Sequence, residues 1–85
     1  MIVIITLSSK RPSFPVEALS VIDSALAAAG LKRQVRSVLA PGKEFAVTYD
    51  GPTTDKGKVI EIIRPIAERY VIEFSVEVEE SVSFP

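Results

Sequence analysis

Ile2-Val3-Ile4-Ile5-Thr6-Leu7 is the stretch on which the fold turns. Its apolar residues fall on both faces of an extended chain, which predicts a strand in the middle of a sheet. Immediately after it comes Ser8-Ser9-Lys10-Arg11-Pro12-Ser13, a short polar and cationic segment. A core strand and a candidate site are therefore adjacent in the chain.

Outward from that strand, Ser13-Phe14-Pro15-Val16-Glu17 carries the signals of a helix start: a capping Ser, a Pro in the first turn and an acidic residue near the positive end of the dipole. Leu19, Ile22, Leu26 and Ala29 recur at helical spacing, and Gly30 supplies a left-handed residue just past the end, with Leu31 after it. The next segment alternates weakly, with Lys32, Gln34 and Arg36 opposed to Leu31, Val35 and Leu39, as suits an edge strand. Ala40-Pro41-Gly42-Lys43 has the Pro-Gly pair of a type II turn, and Phe45, Val47 and Tyr49 alternate with Glu44, Ala46 and Thr48 in a third strand. Thr53 or Thr54 is the expected cap of a second helix, buried along Val59, Ile60, Ile63, Ile66, Ala67 and Tyr70, with a kink or an early end near Arg64 because of Pro65. Ile72, Phe74, Val76, Val78, Val82 and Phe84 then alternate with polar residues along a long final strand.

This order predicts a ferredoxin-like βαββαβ sandwich of the α+β class, formed by one domain over residues 1–85. A four-stranded antiparallel sheet, in the order 4-1-3-2, has two helices on one face. Strands one and three are expected to run in the same direction, so that the loops leaving them lie side by side.

The composition narrows the chemistry. The chain has 85 residues, 47% hydrophobic and 25% charged, with a formal charge of −1. That balance fits one folded core and gives no global attraction for nucleic acid. Cysteine and histidine are both absent. Disulfides, zinc and haem ligation and imidazole-based triads go with them. No catalytic residue, metal or cofactor is expected. The first residues lack the basic leader and cleavage site of a signal peptide, and Glu17 and Asp23 interrupt the other long apolar region, so a soluble cytoplasmic protein without membrane contact is expected.

With strands one and three parallel, Ser8, Ser9, Lys10, Arg11 and Ser13 would meet Thr53, Thr54, Lys56 and Lys58 beside two helix N-termini. Hydroxyls, cationic heads and free N–H groups suit a phosphate or carboxylate. The leading expectation is a non-catalytic binding domain for a small anionic molecule. Lys10 and Arg11 would supply charge, Ser9 and Thr54 hydrogen bonds, and Lys56 closure. The competing reading treats the same residues as caps and solvated loop charges.

Three other constellations carry less. Residues 51–59 lie where a nucleotide P-loop would, but the glycine spacing is one residue too long and Val59 stands where a magnesium-ligating hydroxyl belongs. Lys43, Phe45 and Ala46 match part of the RNA-recognition signature, whereas Glu44, Val47 and Asp50 do not, and turning Phe45 outward would push Glu44 and Thr48 inward. Glu73, Glu77, Glu79 and Glu80 read as a charged strand that discourages aggregation rather than as a calcium site.

The layout resembles that of acylphosphatases, which bind phosphate in the first loop, and of ACT domains, which bind amino acids near it. The resemblance is topological. Acylphosphatase catalysis needs an asparagine and this sequence has none, while residues 8–12 lack the glycine common in ACT loops.

A homodimer is also expected. Ile2 and Ile4, helped by Val38 and Ala46, would leave an apolar patch on the open face of the sheet, and Val82 and Phe84 lie in a final strand that should overhang its neighbour. The alternative function is accordingly a ligand-free interaction module using the open face or the C-terminal edge.

Overall fold

Val3, Ile5 and Leu7 are fully buried while Ile2, Ile4, Thr6 and Ser8 between them are half-buried, so one face of the first strand lies in the core and the other is shielded only by the strands on either side of it. The computed structural model describes residues 1–52 and 55–79. The elements are β1 (Ile2–Ser8), α1 (Glu17–Ala28), β2 (Lys32–Ala40), β3 (Glu44–Asp50), α2 (Lys56–Tyr70) and β4 (Glu73–Glu79). They build the expected α+β sandwich, with sheet order β2-β3-β1-β4. The helices press Leu19, Ile22, Leu26, Val59 and Ile63 against Val3, Ile5, Leu7, Val47, Tyr49 and Val76 in one core. Each such aliphatic side chain contributes about 1.5–3 kcal/mol by leaving water.

Every neighbouring pair of strands is antiparallel, the central pair included: Ile2 faces Asp50 and Ser8 faces Glu44. The expected parallel run of β1 and β3 is therefore corrected. The crossover through α1 returns β2 in the direction of β1. The tight turn after Ala40, closed by Lys43 N–H donating to Ala40 O at 3.0 Å with Gly42 at φ +70°, then reverses the chain into β3.

The helix ends show which signals operate. At the C-terminus of α1, Gly30 at φ +88° donates to Ala27 O and Leu31 N–H to Leu26 O, a Schellman closure. Ser13 does not cap α1. Val16 takes the capping place without a side-chain bond, and the first amides find Pro15 O and Val16 O at 2.9 and 3.1 Å. The cap of α2 is Asp55, whose Oδ1 accepts from Lys58 N–H at 2.9 Å; the expected caps Thr53 and Thr54 lie outside the described residues. Nor does α2 end near Arg64. It continues through Pro65 to Tyr70, because Ile63 and Ala67 on either side of the proline are held in the core while Pro65 itself faces solvent.

Two bulges, between Arg33 and Val35 and between Val38 and Ala40, break the alternation of β2. Arg33, Arg36 and Val38 consequently share the helix side with their partners Tyr49, Val47 and Phe45. Val38 is thus not part of the open face, where Ile2, Ile4, Ala46 and Val35 lie. Val82 and Phe84, and with them the expected overhang, fall outside the described residues. Among the described residues no helix is long and apolar enough to cross a membrane.

Candidate functional site

The loop between β1 and α1 is pinned at both ends. Ser9 N–H donates to Lys43 O at 3.0 Å and Phe14 N–H to Gly42 O at 2.7 Å, tying the loop to the β2–β3 turn. Between those anchors Ser9 Oγ accepts from Arg11 N–H at 3.1 Å, a local turn that orders the backbone. Phe14 is buried and meets Phe45 edge-on at 5.1 Å between ring centres. Everything between the anchors, Lys10, Arg11, Pro12 and Ser13, faces solvent. A cationic loop is thereby presented on a fixed base.

Beside it opens a cleft of about 950 Å³ between the loop, the last turns of α2 and the start of β4. Lys10, Arg11 and Arg64 supply its positive charges, Glu68 and Glu73 its carboxylates, and Ala67, Val71, Ile72 and Phe74 its apolar wall. Lys10 Nζ lies 3.3 Å from Glu73 Oε1, with the two side chains 88% and 65% exposed. So exposed a pair is worth at most about 1 kcal/mol, and an incoming anion can replace it.

The residues predicted for one site are divided between two. Ser8, Ser9, Lys10, Arg11 and Ser13 gather at the end of the sheet where β1 leaves it. Lys56 and Lys58 begin α2 at the opposite end, where Gly51 N–H donates to Met1 O at 3.1 Å. The seven residues of β1 separate those ends by about 20 Å. Antiparallel pairing is the cause, and it has an electrostatic consequence: the cleft meets the C-terminus of α2, whose dipole favours positive charge, rather than its N-terminus. Ser9 is buried, with its N–H bonded to Lys43 O and its Oγ accepting from Arg11 N–H, and so holds the loop in place.

Sequence reasoning missed two parts of this arrangement. Arg64, Ala67, Glu68, Val71, Ile72 and Phe74 line the cleft because α2 ends beside the first loop, a proximity that follows only from the correct strand direction. The second is a polar cluster between α1 and the β2 edge. Asp23 Oδ1 accepts from the Tyr49 hydroxyl at 2.5 Å, while Asp23 Oδ2 takes Arg33 at 2.9 Å and Arg36 at 3.5 Å. Burial, first of all, and then the hydrogen bond and charge of Asp23 hold the Tyr49 hydroxyl above its ordinary pKa; Arg33 and Arg36 offset part of this. The signal was Asp23 within an apolar helix, opposite two arginines three residues apart. The bulge at Gln34 puts those arginines on one face.

Among the described residues no three His, Cys, Asp or Glu side chains are grouped so as to hold a metal ion. No protein-family model matches the chain, and no curated protein does. In fold the chain is similar to part of a solved structure, formyltetrahydrofolate deformylase from Burkholderia mallei, with a TM-score of 0.63 and 11% sequence identity. The match takes in 89% of this chain and 27% of that one, so the likeness is to a segment of a larger protein and concerns the fold alone.

Proposed function

We propose that the domain acts by binding, without catalysis, and that its ligand is a small carboxylate-bearing molecule with an apolar body, held in the cleft beside the β1–α1 loop. The observation that carries this reading is the lining of the cleft: Lys10, Arg11 and Arg64 around an apolar wall of Ala67, Val71, Ile72 and Phe74. Apolar surface with a few convergent polar groups is the usual make-up of a small-molecule site. Charge selects between the anions considered. Glu68, Glu73 and the carbonyl end of α2 oppose a doubly charged phosphate but tolerate a single carboxylate, and they favour an additional amino group on the same ligand. The shared fold with a segment of formyltetrahydrofolate deformylase is compatible with such a role.

Isothermal titration with a panel of amino acids, other short-chain carboxylates, phosphate and nucleotides tests the reading. Saturable binding of a carboxylate, weakened at least about tenfold in Arg11→Ala and in Arg64→Ala and unchanged in Lys56→Ala, is the expected result. Equal loss in Lys56→Ala, or no binding across the panel, contradicts it.

A further inference from the structure

We infer that the face of the sheet turned away from the helices docks a cationic amphipathic helix of another protein. The strand register lays that face out row by row. Ile4 stands between Thr48 and Glu77, with Val35 beyond Thr48, and Ile2 stands between Asp50 and Glu79, with Lys32 beyond Asp50. Thr6 follows between Ala46 and Ser75. Ile2, Ile4 and Ala46 are half-buried without packing into the core, and Val35 is 56% exposed. An apolar patch therefore crosses the middle of the face, and among the described residues no element covers it. Apolar sheet surface of this kind is what a helix buries when it packs on a sheet.

Charge decides which kind of helix. Around the patch stand Glu44, Asp50, Glu77 and Glu79, against a single cation, Lys32. The other nine of the ten Lys and Arg residues lie on the helix side, in α2 or in the loops. A formal charge of −1 thus conceals a one-sided distribution. Among the described residues no Lys or Arg forms an ion pair with Glu44, Glu77 or Glu79. Such a rim repels nucleic acid and anionic lipid, and a second copy laid face to face would set carboxylate against carboxylate. A helix with an apolar stripe flanked by Lys or Arg meets both requirements: the stripe covers Ile2, Ile4, Ala46 and Val35, and its cations reach the rim. The cleft has α2 as its wall, on the other side of the sheet, so this docking requires no ligand there.

Amide-resolved titration of the whole labelled chain with a synthetic helix of about 18 residues, five turns of Leu and Lys with Leu at three- and four-residue spacing, tests it. Saturable shifts at Ile2, Ile4, Thr48 and Glu77 are expected, and none with a Leu and Glu peptide of the same pattern. Glu77→Lys should weaken binding at least about tenfold, whereas Glu61→Lys, the same charge change at an exposed position of α2, should leave it unchanged. Ile4→Thr, which keeps a β-branched residue in the strand, should also weaken it. Equal loss in Glu61→Lys, or equally tight binding of a Lys homopolymer, would reduce the effect to charge alone and overturn the proposal. So would shifts centred off this face, binding of single-stranded RNA to it, or no saturable binding of the Leu and Lys helix up to about 1 mM.

Discussion

Val71 closes α2 as Gly30 closes α1, with its N–H directed to Glu68 O and that of Ile72 to Ala67 O, but it does so with a β-branched side chain at φ 55° and ψ 51°. A left-handed conformation costs such a residue about 1–2 kcal/mol that glycine avoids. Strain of this kind is often kept where a side chain is needed, and Val71 lines the cleft. Val71→Gly is therefore expected to raise stability by about 1 kcal/mol, read as a higher denaturation midpoint at unchanged slope, while weakening the ligand. Tyr49 gives a second prediction at this scale. Its hydroxyl loses its proton at a higher pH in the folded chain than in the unfolded one, so its contribution is fully present below the unfolded value of about 10 and falls as pH rises beyond it. Wild type should lose stability above pH 10 faster than Tyr49→Phe, by up to about 1.4 kcal/mol per pH unit, in parallel denaturation series. Gly30 was legible from the sequence because glycine has few other reasons to follow an apolar helix. Val71 was not, since a valine before an alternating strand reads as part of that strand.

Among the elements, α2 makes the clearest contrast between propensity and context. Pro65 removes one helical hydrogen bond, yet Val59, Ile63 and Ala67 carry the helix past it by burying one face. Pro65→Ala restores the missing donor on an exposed position, and thermal or chemical denaturation should show a gain of about 1–3 kcal/mol. The edge strand β2 shows the reverse: its existence was readable from weak alternation, but the faces of its residues were not. A bulge adds a residue without leaving a composition signal, and it was the bulge at Gln34 that moved Arg36 to the side of Arg33 and left Val38 off the open face. The β1–α1 loop was correctly read as polar and cationic, whereas its anchoring through Ser9 and Phe14 onto Lys43 and Gly42 depends on contacts between segments far apart in the chain.

At the scale of the whole molecule, alternation, helix periodicity and turn residues were enough to specify the number, type and order of the elements, because each of those signals is local, and the sheet order then followed from the rules for connecting them. Strand direction across the sheet is a property of the connections taken together. A single error there joined loops that lie at opposite ends and concealed the α2 wall of the cleft. With the corrected topology, the proposed function places ligand recognition at one end of the sandwich, formed by residues 8–13 and the stretch from Arg64 to Phe74, and leaves the start of α2 untouched. An amide-resolved NMR titration of the labelled chain with the amino acid and carboxylate panel tests that claim most directly. The account predicts saturable shifts clustered at Lys10, Arg11, Glu68, Val71 and Glu73, with Lys56 and Lys58 unmoved; joint movement of both ends, or no localised shifts with any member of the panel, would contradict it.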